Sequence, residues 1–183
     1  MKTKTTFILF PAILFCSLMI IQLGCKKDEN NDEEPFNCGE SLIDTRDEQV
    51  YTTILIGEQC WMAENMNIGE MINGTEDMTD NGIIEKYCYD NDPVNCETYG
   101  GLYQWSEMME FTTTPGVQGI CPLGWHLPTD DEWKILEGTV DGQYPVGDTI
   151  WNNTGWRGHN AGNNLKSNAG WPQNTGTNLF GFS

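Results

Sequence analysis

The sequence is short of positive charge. Its 183 residues carry nine Lys and Arg against 27 Asp and Glu, a formal net charge of −18. A nucleic-acid backbone would be repelled, and no basic stripe offsets the repulsion, so nucleic acid is excluded as a partner. The same balance excludes adsorption of the folded part to an anionic lipid surface. Histidine is scarcer still, with only His126 and His159, in separate segments. With no Cys-x-x-Cys pair beside them, a zinc centre is not expected. His126 stands at no recognisable spacing from a Ser or Cys nucleophile. His126, between Trp125 and Leu127, therefore reads as packed or exposed, and His159 as a loop residue. The Gly-Trp dipeptides at 124–125, 155–156 and 170–171 are unequally spaced and form no repeat. Asp77, Asp80, Asp90 and Asp92 supply hard oxygen ligands and keep calcium open, but without the ligand spacing of an EF-hand. No cofactor is expected otherwise.

What the chain does have begins with an address. Lys2 and Lys4 precede an almost wholly apolar run from Phe7 to Leu23, and the segment ends at Gly24-Cys25. A basic start, an apolar middle and a small residue before the break read as a secretory signal over residues 1–24. The run contains Pro11 and Gln22 and is near the lower length limit for a span, which disfavours a transmembrane anchor. Ile21-Gln22-Leu23-Gly24-Cys25 resembles a bacterial lipobox, with Gln22 where Leu is usual. Cys25 is accordingly the expected acylation site, carrying palmitate-type chains that hold the protein on a membrane surface. Residues 25–37 are expected to be an acidic, disordered tether. Lys26-Lys27-Asp28-Glu29 resembles the surface-export signal of lipoproteins in the Bacteroidetes lineage. The expected location is the cell outer membrane, lipid-anchored and surface-exposed.

Seven cysteines occur, and five remain without Cys16 and Cys25. An exported location permits disulfides. Cys88 and Cys96, flanking a turn-rich loop, are the best local pair. Cys38 and Cys60 flank a predicted hairpin and are a second candidate pair, which leaves Cys121 as the odd thiol. Residues 50–56 are β-branched and aromatic and predict a strand ended by Gly57, with residues 59–62 as its antiparallel neighbour. Residues 65–92 read as a long polar excursion, residues 99–105 as a buried turn with a short strand, and residues 106–110 as a helical turn. Thr129-Asp130-Asp131-Glu132 is a capping box that starts a helix with Trp133, Leu136 and Val140 on one face. Gly138 or Gly142 is expected to stop it. Residues 141–183 read as loop. Trp in such loops serves as a packing staple or as an exposed platform, and Trp151, Trp156 and Trp171 are the candidate ligand-stacking residues. Asp148-Thr149-Ile150 fits a loose O-glycosylation pattern.

Several blocks occur in a recognisable order. They are Asp44-Thr45-Arg46-Asp47, then residues 50–66 from Val50 through Cys60-Trp61-Met62-Ala63-Glu64-Asn65-Met66. Tyr87-Cys88-Tyr89-Asp90-Asn91 and Tyr99-Gly100-Gly101-Leu102-Tyr103-Gln104-Trp105 follow. Gly119-Ile120-Cys121-Pro122-Leu123-Gly124-Trp125-His126-Leu127-Pro128-Thr129 and Gly181-Phe182-Ser183 complete the set. Together they resemble the Fibrobacter succinogenes major paralogous domain of bacterial surface lipoproteins, over residues 38–183. The resemblance implies an α+β, C-type-lectin-like fold related to the formylglycine-generating enzymes. Short antiparallel strands, one or two helices and long irregular loops are expected. It also implies a domain incomplete at its C-terminus, whose missing part would hold the partner of Cys121. It carries over no catalytic residue, and Leu127-Pro128-Thr129 with Glu132-Trp133 is scaffold in the formylglycine fold. The Glu-Pro-Asn and Gln-Pro-Asp signatures of calcium lectins are absent, and Trp151-Asn152-Asn153 only approaches their Trp-Asn-Asp element.

The function expected from this reading is non-catalytic binding or adhesion to a glycan or an envelope protein, through aromatic loops on a rigid scaffold. A purely structural envelope lipoprotein is the alternative, and an enzyme related to the formylglycine fold a third.

Overall fold

The computed structural model describes residues 36–171 and 175–182. The signal segment, Cys25 and the tether before Phe36 lie outside these residues. Among the described residues no helix is long and apolar enough to cross a membrane. The architecture is α+β, with short strands, few helices and much irregular chain. Five strands, β1 (Ser41–Ile43), β2 (Val50–Ile56), β3 (Gln59–Met62), β4 (Glu70–Met71) and β5 (Glu85–Lys86), precede most of the helical chain. The helices are α1 (Pro93–Tyr99), α2 (Trp105–Met108), α3 (Asp130–Val140) and α4 (Ala161–Leu165).

Strand β2 is the centre of an antiparallel sheet in the order β1-β2-β3. Its β-branched run favours the pleat, and Gly57, at φ 63°, supplies the positive φ of a two-residue hairpin turn into β3. Ile54 pairs with Trp61 and Ile56 with Gln59 across that hairpin. Burial changes face along β2. Tyr51 and Thr53 are buried on one side, whereas Ile54 and Ile56 face the other and join the main core. That core gathers Ile56, Trp61, Leu136, Val140, Trp151 and Ala161, so the sheet, α3 and the chain after it share one interior. A smaller cluster, Met109, Cys121 and Leu127, fills the other end.

Helix α3 begins as its sequence demands. The Thr129 hydroxyl accepts from the Glu132 amide at 3.3 Å, and the Glu132 carboxylate accepts from the Thr129 amide at 2.8 Å. That reciprocal cap contributes about 1 kcal/mol. The helix does not stop at Gly138. It runs to Val140, with Asp141 as its C-cap and Gly142, the other expected stop, immediately after. Gly138 is there for contact: a Cβ at this position would lie 2.7 Å from Val146 Cα. Two disulfides, Cys38–Cys60 and Cys88–Cys96, tie β1's approach to the hairpin and α1 to the loop before it. Each contributes about 2–4 kcal/mol by restricting the unfolded chain. Residues 36 and 37 belong to the folded unit rather than to a tether. Phe36 packs edge-on against Trp125 at 5.7 Å, and Asn37 accepts from the Glu40 amide.

The long excursion contains one parallel pairing, β4 with β5, which two-residue strands cannot announce in sequence. Lys86 on β5 is buried, and its ammonium donates to both the carbonyl and the side-chain oxygen of Asn67. Residues 99–105 are less buried than expected. Tyr99 and Trp105 are exposed, and Leu102 makes a single bridge to Tyr87. The segment after α3 holds a 3-10 turn at Thr149–Asn152 as well as α4.

Asp141 organises that segment. Its Oδ1 accepts from the amides of Gln143 and Tyr144 at 2.8 and 2.9 Å. Its Oδ2 accepts from His159, Asn160 and Ala161 at 2.8, 2.9 and 3.0 Å. Burial opposes the charge, but the amides of Tyr144, Gln143, His159 and Asn160 outweigh it and hold the carboxyl well below its usual range. A group whose pKa falls on folding contributes stability above its ordinary value and loses it as pH drops. Asp141→Asn turns a donor toward amides that need an acceptor and should cost about 2–3 kcal/mol near neutral pH. In urea titrations across pH, the wild-type protein should lose stability below about pH 4, and the gap to the variant should narrow there. An unchanged gap down to acid pH would refute this role.

Candidate functional site

The three tryptophans singled out above have different fates. Trp151 is 1% exposed and belongs to the main core. Its Nε1 donates to the Pro145 carbonyl at 2.9 Å, and its ring meets Tyr144 edge-on. No face is left for a ligand, so Trp151 is removed from the candidates. Trp156 is at the other extreme, fully exposed. Trp171 is half exposed, with Lys166 Nζ 5.2 Å from its ring centroid and its Nε1 donating to Ser167 Oγ.

Full exposure of an indole is costly to solvation, so the backbone that presents Trp156 matters. Gly155 and Gly158 flank it at φ 82° and 76°, a left-handed conformation open to glycine. A Cβ on Gly158 would lie 2.5 Å from the Trp151 ring, so this turn rests directly on the core. Arg157, next to Trp156, is the anchor. Its Nη1 donates to the Trp151 carbonyl at 2.6 Å, and its Nε pairs with Glu137 on α3 at 2.7 Å. With Asp130 at 3.5 Å as a third partner, Arg157 turns inward while its neighbour turns out to none.

Trp156 and Trp171 line one open groove of about 1010 Å³. Its other wall carries Glu97 and Tyr99, at the end of α1, and Glu64, just after β3. The Cys88–Cys96 disulfide and the Asp92 cap on the Val94 amide hold α1 in place. Asn65 Nδ2 donates to the Tyr99 carbonyl at 2.9 Å and fixes the wall to the strand side. Sequence reasoning missed this wall. The signal available was Tyr99 ahead of Gly100-Gly101 at the end of a disulfide-closed loop.

The remaining chemistry-bearing groups have structural duties. His126 Nε2 lies 2.8 Å from Glu132 Oε1, at the start of α3 beside a second cavity of about 620 Å³. Cys121, near that cavity, is a buried thiol pushed up to about 11 by burial, against the opposing pull of Arg46. At neutral pH it stays protonated and is a poor nucleophile. Arg46 is itself occupied, pairing with buried Asp44 at 2.6 Å and donating to the Ile120 carbonyl at 2.8 Å. Among the calcium candidates, Asp92 caps α1 and Asp77 accepts from Gln104. Among the described residues no three His, Cys, Asp or Glu side chains gather to hold a metal. Thr149 is exposed at the start of its 3-10 turn, and His159 gives only its backbone amide to Asp141.

Trp151→Ala should therefore cost about 3–5 kcal/mol in urea denaturation, the range for emptying a core aromatic position. Trp156→Ala should stay within about 0.5 kcal/mol of the parent. Equal destabilisation by both would refute the division of roles.

The family model described as the Fibrobacter succinogenes major domain matches residues 54–183. The match begins inside β2, whereas the pairing of β1 with β2 and the Cys38–Cys60 disulfide bring the preceding residues into the same folded unit. No curated protein and no solved structure matches the chain.

Proposed function

The chain belongs to the Fibrobacter succinogenes major domain family, and from that membership we propose a surface lipoprotein whose folded domain is a non-catalytic, glycan-binding module. The domain is read as C-type-lectin-like, lipid-anchored through Cys25 on the outer membrane and facing outward. Residues 1–24 serve as the signal and the following acidic residues as a spacer. Family membership supports a surface-associated role. The observation that carries the binding reading is Trp156, an indole with no partner among the described residues, set on a turn that Arg157 and Gly158 fix to the core. A flat apolar face on a fixed backbone mount is suited to the C–H face of a sugar ring, because only the side-chain torsions remain to be ordered on stacking.

Titration with oligosaccharides from plant and host surfaces should quench tryptophan fluorescence. Trp156→Ala should weaken the binding by about tenfold or more while leaving the fold intact. A chain that binds no glycan but captures a stable envelope protein would favour the purely structural alternative instead.

The anchor is tested separately. Metabolic labelling with palmitate should mark the parent chain, and Cys25→Ala should abolish the label and release the protein from the membrane fraction. Several acyl chains bury enough methylenes, at about 0.8 kcal/mol each, that partial release is not expected. Retention of the variant on membranes would refute lipidation as the anchor.

A further inference from the structure

We propose that the groove selects a cationic glycan, an oligosaccharide with free amino groups on its rings, and rejects uronate or sulfate polymers. The proposal rests on the glycan-binding reading above and adds the charge of the ligand.

The cations of the folded part are few. Between residues 36 and 182 the sequence has 22 carboxylates and only five Lys and Arg. Each of the five is engaged. Arg46 holds Asp44, Lys86 is buried on Asn67, and Lys134 pairs with Asp130 and Asp131. Arg157 pairs with Glu137 and Asp130. Lys166, the one cation lining the groove, lies over the Trp171 ring and donates to Thr175 Oγ1 at 3.3 Å. Among the described residues no cation is left to receive an anionic sugar.

The groove's own carboxylates are differently placed. The Thr52 hydroxyl and amide both donate to Oε1 of Glu64, at 2.6 and 3.3 Å, which orients the side chain and leaves Oε2 without a partner among the described residues. Glu97, exposed on the α1 wall, has no hydrogen-bond or ion-pair partner among them. Two exposed carboxylates, neither in an ion pair, thus line the groove that Trp156 and Trp171 share, although the charge of buried Lys86 is felt at Glu97. The surrounding excess of negative charge reinforces their field at low ionic strength. An aminosugar chain answers both features at once. Its ring faces stack on indole, and its ammonium groups pair with Glu64 and Glu97 at the groove's surface.

The test uses the full chain and three pentasaccharides near pH 6, where carboxylates are ionised and sugar amines protonated. The probes are fully deacetylated glucosamine, its N-acetylated counterpart, and galacturonic acid. A lysine pentamer serves as a control for charge alone. At low salt, the deacetylated sugar should bind about tenfold more tightly than the acetylated one, and the advantage should shrink toward parity in about 1 M salt. Glu64→Gln with Glu97→Gln should reduce that advantage without changing affinity for the acetylated sugar, while Trp156→Ala should weaken both. Equal binding of the two aminosugars, with Trp156 still required, would overturn the charge selection and leave the glycan reading standing. Preference for galacturonic acid would overturn it as well. If the lysine pentamer matches the deacetylated sugar, the groove reads charge without sugar and the proposal fails. Binding of none of the probes would remove both readings together.

Discussion

A single carboxylate, Asp141, determines how the second half of this domain is arranged. It ends helix α3 and accepts five backbone amides from two segments that are otherwise irregular. Backbone N–H groups in loops must find acceptors, and regular structure supplies few of them here. One ionised side chain does so for five residues at once, through charge-assisted bonds about twice as strong as neutral ones. The consequence reaches the groove. Asp141 fixes residues 159–161, which lead into α4, and Arg157 fixes the turn before them to α3 through Glu137. The exposed tryptophan is therefore followed directly by two charged anchors that share one helix.

The same economy of anchoring recurs elsewhere. Asp44 and Arg46 join the end of β1 to the Ile120 carbonyl, and Lys86 gathers Asn67 beneath the excursion after β3. The side-chain bond to Arg46 keeps the Asp44 carboxyl below its usual range despite burial. Lys86 moves the opposite way, because burial lowers its hold on the proton. Few cations serve a very acidic chain, and they are used in its interior and at helix ends. Most of the remaining carboxylates stay exposed, with Glu107 a buried exception whose carboxyl is pushed up by desolvation. An acidic surface then follows from the way the fold is built.

How much of this was legible depended on range. Strand β2, its hairpin and the start of α3 were legible because their signals lie within a few residues: a β-branched run, a glycine at the turn, a capping box. The Cys88–Cys96 pairing, 8 residues apart, spans a turn-rich loop, and the Cys38–Cys60 pairing, 22 residues apart, was reachable only through the hairpin that it flanks. The fates of Trp151 and Trp156 were not legible. Both lie in Gly- and Asn-rich chain without periodicity, five residues apart. Their difference is decided by the Pro145 carbonyl, the close approach of Gly158 and the Glu137 side chain, none of which a local pattern encodes. Gly138 misled for the same reason. Glycine at a helix end and glycine at a backbone contact look alike until Val146 is placed beside it. The groove joins α1 to chain some 60 residues later, and no spacing rule connects them.

The division of labour between side chain and backbone is the strongest argument that the groove is functional. In a core, a residue's backbone and side chain are secured together, as at Trp151. Along the groove they part company. Trp156, Tyr99 and Glu97 have backbones held by Arg157, by Asn65 and by the disulfide-closed helix α1, yet their side chains make no hydrogen bond or ion pair among the described residues. Folding stability gains little from two exposed aromatics and an exposed carboxylate on the same surface, and solubility gains nothing from the aromatics. A scaffold that fixes the mounts and leaves the tips unengaged has already met the backbone part of the ordering cost of recognition, leaving only the side-chain part to be met on binding.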